Sequence, residues 1–89
     1  MTTKTWTVQV RLDETDDDTV AHAVLSVENK TEISGRGMSR RNPSDESEPR
    51  IGEELAAARA LSDLAHQLLA AAASDIEAKT HVPVRSLQL

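Results

Sequence analysis

Residues 5–12 alternate strictly, with Trp6, Val8, Val10 and Leu12 on one side and Thr5, Thr7, Gln9 and Arg11 on the other. A period of two with β-branched residues predicts a half-buried strand. The acidic cluster from Asp13 to Asp18 interrupts it and reads as a hairpin loop. A second strand is predicted from about Thr19 to Glu28, with Ala21, Ala23, Leu25 and Val27 on one face and Val20 and Val24 on the other. A third runs from about Thr31 to Arg41, with Ile33, Gly35 and Gly37 opposite Arg36, Met38 and Arg40.

In an antiparallel pair, opposed residues have a constant index sum and share a face. A sum of 31 opposes Trp6 with Leu25 and Val8 with Ala23, and a sum of 60 opposes Leu25 with Gly35 and Val27 with Ile33. The second pairing turns at Asn29, Lys30 and Thr31. Trp6, Leu25 and Gly35 then form one row, in which the glycine lets a helix come close.

Residues 42–50 hold Pro43 and Pro49 among small polar side chains and read as a loop. Beyond it Ile51, Leu55, Ala58, Leu61, Leu64 or Ala65, Leu68 and Ala72 recur at helical spacing, predicting a core-facing stripe on a helix of about 22 residues. Glu53 and Glu54 fall in its expected first turn. Ser74 followed by Glu77 matches a capping box, so a break near Ala73–Ser74 and a short second helix to about Thr80 are expected, stopped by Pro83. The fold class is α+β: a three-stranded antiparallel meander, a long helix and a short C-terminal helix. The chain reads as a single domain over 1–89, with an ordered core at about 5–82 and a frayed tail at 84–89.

Composition sharpens the picture of the core. Of 89 residues 38% are apolar, twelve of these are alanine, and there is no Phe or Tyr. A chain this short has room for one core, and so many small side chains make that core thin. A deep enzymatic pocket is excluded on that ground, and self-association is expected. Net charge is −5. Six acids face two bases over residues 1–29, and only residues 30–50 carry an excess of bases, five against four acids. Any anionic partner would have to be met in that middle segment.

No chemistry of a catalytic kind emerges. Without cysteine there is no disulfide, thiolate nucleophile or cysteine zinc site. His22, His66 and His81 lack metal-ligand spacing. Counting from Asp13, the sixth residue is Asp18 where a calcium loop needs glycine, and the twelfth is Val24 where it needs glutamate. Ser62, Asp63 and His66 lie within five residues, but an exposed helical serine has no oxyanion hole beside it. No cofactor, metal or small-molecule substrate is expected, and the chain reads as a non-enzyme. With no signal peptide or bilayer-length apolar run, a cytoplasmic location and no membrane partner are expected.

One segment invites a contact: Gly35, Arg36, Gly37, Met38, Ser39, Arg40 and Arg41. By the register above, Arg36 and Arg40 point to the face away from the helix, where Arg11 joins them across Val20, His22 and Val24. Arg11, Arg36, Arg40, Met38 and His22 are therefore the candidate contact residues, for RNA phosphates or for a protein, since Arg and Met are enriched at interfaces. Arginine stems shielding a solvent-facing sheet are the plainer alternative. The alanines at 56, 57, 58 and 60 serve equally as helix filler or as a close-approach surface.

The runs Ile51-Gly52-Glu53-Glu54-Leu55, Ala58-Arg59-Ala60-Leu61-Ser62-Asp63-Leu64, Ser74-Asp75-Ile76-Glu77-Ala78 and Thr80-His81-Val82-Pro83-Val84 resemble a family of small actinobacterial proteins of unknown function that includes dormancy-associated members. The resemblance covers roughly residues 5–85. It implies a β-β-β-α fold like that of double-stranded-RNA-binding domains, a homodimer, and a likeness to ribosome hibernation factors. A stress or dormancy factor at the ribosome is the function it implies, and a protein-interaction or regulatory module without RNA contact is the alternative. Where such domains carry a lysine-rich motif, this chain reads Arg50, Ile51, Gly52, Glu53 and Glu54, and their first helix is missing. Only the open-face arginines then remain for RNA.

Overall fold

The computed structural model describes residues 1–27, 32–42, 44, 46, 48–85 and 87. Three strands, β1 (Thr7–Glu14), β2 (Asp18–Ser26) and β3 (Ile33–Arg40), form an antiparallel sheet in the order β1-β2-β3, and one helix, α1 (Pro49–Thr80), follows. The α+β meander expected from the alternating pattern is present. The expected turn at Asn29–Thr31 lies outside the described residues, as do Pro43 in the loop and residues 86, 88 and 89 of the tail.

Both pairings differ from the expected ones by two residues. Val8 opposes Leu25 and Val10 opposes Ala23, while Leu25 opposes Ile33 and Ala23 opposes Gly35. The rows across the helix side are thus Val8–Leu25–Ile33, Val10–Ala23–Gly35 and Leu12–Ala21–Gly37. A shift of two keeps every side chain on its face, which is why alternation alone cannot detect it. The acidic hairpin sets the register of β1 on β2. Asp13 and Glu14 belong to β1 and Asp18 to β2, so the turn is only Thr15–Asp17, closed by the Thr15 amide on the Asp18 carbonyl at 2.9 Å. Trp6 consequently falls outside the described pairing, and the expected Trp6–Leu25–Gly35 row does not form.

The helix is a single element of 32 residues, without the expected break at Ser74. Alanine is the strongest helix former, and the four alanines at 70–73 give the chain no reason to leave the helix there. The helix also starts two residues early, with Pro49 in its first turn, where its missing amide hydrogen is not needed. Glu53 and Glu54 therefore lie beyond the first turn, which holds no acid. His81 ends the helix in the left-handed region at φ 59°, its amide donating to the Glu77 carbonyl at 2.8 Å.

The helix meets the sheet with Leu64 and Leu68 of the stripe its spacing predicts, but with Ala56 and Ala60 in place of Ile51, Leu55, Ala58 and Leu61. Ala56, Ala60 and Leu64 are buried against Ala21, Ala23 and Leu25, with Val10, Val27, Ile33 and Leu68 packed around them. Ile51, Leu55, Ala58 and Leu61 are exposed. The reason lies in β3. A methyl group added at Gly35 would overlap the backbone of Ala60 and Leu64, and one at Gly37 the backbone of Ala56 and Ala60. The helix backbone rests directly on these two glycines, with the alanine methyls of Ala56 and Ala60 and the side chain of Leu64 buried around that contact. The larger leucines and isoleucines on the other sides of the helix stay out.

A 32-residue helix is about 48 Å long, whereas strands of eight or nine residues span about 30 Å. The helix overhangs the sheet. The radius of gyration, 16.6 Å, exceeds the roughly 12 Å of a compact chain this long.

Candidate partner-binding face

The side of the sheet away from the helix is built by the residues that alternate with the core. Arg11, His22 and Arg36 stand in one row, Asp13, Val20 and Met38 in the next, and Gln9, Val24 and Ser34 on the other side. The structure brings Arg11, His22, Arg36 and Met38 together at the centre of this face. Arg40 sits near its end, opposite Asp18.

The charges on this face largely answer one another. Arg40 grips Asp18 with two hydrogen bonds, Nε to Oδ1 at 2.8 Å and Nη2 to Oδ2 at 3.2 Å. This contact holds the Asp18 carboxyl below its ordinary range and raises Arg40 in turn. Arg11 Nε donates to Asp13 Oδ2 at 3.3 Å. Of the expected contact arginines, Arg36 alone makes no ion pair among the described residues. Beside it, Nδ1 of His22 is shielded from solvent and has no hydrogen-bond partner among the described residues. Such a group costs about 1–3 kcal/mol while it stays unsatisfied. Val20 and Val24 are half-buried in the middle and Met38 is exposed.

The other chemistry-bearing residues are separated. His66 Nδ1 lies 2.8 Å from the backbone carbonyl of Ser62, while Asp63 turns to the sheet and accepts the Arg36 amide on Oδ2 at 2.8 Å. They form no triad. Asp17 of the acidic turn binds Arg41 at 2.6 Å. A cleft of about 310 Å³ lies between that turn and the start of the helix, lined by Asp17, Arg41 and Glu14 among others. Glu14 is raised above its ordinary range, first by a hydrogen bond shared with Glu53. No group of three metal-ligating side chains occurs among the described residues, and no described helix is long and apolar enough to cross a membrane.

Sequence reasoning missed Arg59 and Asp63. Arg59 Nη1 donates to the Met38 carbonyl at 2.8 Å, so the two helical side chains take up one acceptor and one donor on the outer edge of β3. Their spacing of four along the helix, beside the buried Ala56–Ala60–Leu64 line, is the signal that could have found them.

The chain is similar to known proteins. The chain is 50% identical over 84 residues to the uncharacterized protein Rv2632c of Mycobacterium tuberculosis H37Rv, covering 94% of this chain and 89% of that protein. It is 48% identical over 82 residues to the uncharacterized protein Mb1767 of Mycobacterium bovis, covering 92% and 86% of the two. The crystal structure of Rv2632c superposes with a TM-score of 0.83 at 48% identity, over 93% of this chain and 98% of that one. The family model described as Rv2632c-like matches residues 4–85, and the chain belongs to that family.

Proposed function

We propose that this protein is a non-enzymatic, cytoplasmic binding module that acts as a homodimer and docks a partner protein with the open face of its sheet. The carrying observation is the make-up of that face. Val20, Val24 and Met38 flank the Arg11–His22–Arg36 row, while Asp13 and Asp18 answer two arginines. A mixture of apolar centre, arginine and methionine with nearly balanced charge suits a protein surface better than a phosphate backbone, which calls for an uncompensated basic patch.

A second reading, RNA contact at the ribosome by a stress or dormancy factor, is favoured by Arg36, whose side chain makes no ion pair among the described residues. The β-β-β-α order, likened to double-stranded-RNA-binding domains, supports it by analogy of fold, which does not fix function.

The test is co-sedimentation with purified ribosomes and, separately, with protein-free ribosomal RNA at two salt concentrations. Ribosome binding abolished by Met38→Asp, retained by Arg36→Glu and little changed by salt supports the protein contact. Binding to free RNA that is abolished by Arg36→Glu and falls steeply with salt supports RNA instead. No sedimentation with either removes the ribosome as the site of action.

A further inference from the structure

The two edges of the sheet are treated differently. On the outer edge of β3, the Arg36 amide and the Met38 carbonyl are taken by Asp63 and Arg59 of the helix. Because these groups point outward, alternation across the antiparallel ladders turns the backbone of His22 toward Arg11. The backbone groups of Val8, Val10 and Leu12 then point outward from β1, and none of them has a hydrogen-bond partner among the described residues. An open edge of this kind is a template for another strand.

The side chains repeat the asymmetry. The helix lies mainly over β2 and β3, and of β1 only Val10 packs against the core: Trp6 is 57% exposed, Val8 41% and Leu12 37%. Leu61, between Arg59 and Asp63 in sequence, projects from the opposite flank of the helix and is 43% exposed. An apolar strip therefore runs alongside an unpaired edge.

The strand is also complementary to itself. Antiparallel pairing of two copies about Gln9 opposes Val8 with Val10, Trp6 with Leu12 and Lys4 with Glu14, each twice by symmetry. The residues with outward backbone groups meet one another in this register, giving about eight new hydrogen bonds between Trp6 and Leu12. The lysine of each copy arrives beside Glu14, which already shares a hydrogen bond with Glu53.

We propose that β1 is the self-association edge of this protein, joining two copies β1 to β1 about Gln9 into a continuous six-stranded sheet with both helices on one face. This rests on the homodimer in the reading above and names its surface. The opposite face, with its two Arg11–His22–Arg36 rows, stays free for a partner.

Light scattering on the full chain, with engineered cysteines in a protein that has none of its own, tests it. The wild type is expected at twice the 9.7 kDa chain mass. Val10→Pro removes an outward amide without touching the β1–β2 ladder, and it is expected to give a folded monomer with unchanged far-UV circular dichroism. Gln9→Cys places two thiols in directly opposed positions about 4.5 Å apart by Cα, within disulfide range, and is expected to oxidise to a covalent dimer without loss of helix signal. Ser62→Cys, on the outer side of the helix, is expected to stay monomeric in reducing-agent-free denaturing gels. A dimer that survives Val10→Pro and fails to cross-link through Gln9→Cys overturns the β1 edge but keeps the homodimer. A wild-type mass of one chain at all concentrations overturns both.

Discussion

The backbone amide of Arg36 donates to the carboxylate of Asp63 at 2.8 Å, across 27 positions of sequence. It joins the edge strand to the middle of the helix, and Arg59 adds a second tie one helical turn earlier, to the Met38 carbonyl. Together they do for β3 what a fourth strand would do. They also fix the helix mainly over β2 and β3 and so leave most of β1 bare.

Asp63→Ala should unfasten this edge. A hydrogen bond to a charged group contributes about 1.5–3 kcal/mol, less where solvent reaches it. We expect a loss near the lower end of that range in urea unfolding. Amide hydrogen exchange at Arg36 should accelerate more than at Ala23, whose position on the central strand is unaffected.

Gly35→Ala and Gly37→Ala should be the most damaging single-methyl changes in the chain, because both methyls would collide with helix backbone. Backbone cannot rotate aside as a side chain can, so a loss of about 1–3 kcal/mol or more is expected. Gly52→Ala is the contrast. Its added carbon would meet the hydroxyl of Thr19 at 3.2 Å and that of Ser39 at 3.4 Å, and alanine gains about 1 kcal/mol of helix propensity over glycine. Thermal melts should place Gly52→Ala near wild type and the other two far below it.

Ser74→Ala separates a capping residue from an ordinary helical one. Loss of a cap would destabilise by about 1 kcal/mol. Within a continuous helix the change should be neutral or slightly stabilising, and that is the outcome expected from circular dichroism melts.

Two carboxylates should pull acid stability in opposite directions. Asp18 is lowered by its hydrogen bonds to Arg40. Its contribution is therefore present above the ordinary aspartate range and lost as pH falls through the lowered folded value. Asp18→Asn should be less stable than wild type at neutral pH, with the gap closing in acid. Glu14 is raised by its hydrogen bond with Glu53. Its penalty is present when both groups are ionised and relieved as pH falls. Glu14→Gln should match or exceed wild type at neutral pH and lose that advantage in acid. Melting temperatures measured from pH 3 to 7 check both signs.

The candidate face was legible before the fold because parity is robust. Arg11, His22 and Arg36 share a face under either register, as a shift of two moves partners without turning side chains over. What could not be read was their electrostatic state. Whether Arg40 is free depends on Asp18 lying opposite it, and that depends on the β2–β3 register, which differs by two from the one alternation suggests. The Arg59 and Asp63 ties join segments more than twenty residues apart, so their spacing of four along the helix does not by itself name their partners on β3.

The sequence by itself determined the element order and which side of each strand meets the core, since a period of two or 3.6 is a local property of the chain. On the helix it placed Leu64 and Leu68 toward the core but not the first turns. With apolar residues all round α1, periodicity favoured the large ones, Ile51, Leu55 and Leu61. Tertiary structure chose Ala56 and Ala60 there instead, because Gly37 and Gly35 bring the sheet and helix backbones into direct contact along that line. The core is thin because four of its six buried members are alanines, and Ile51, Leu55 and Leu61 are left on the surface.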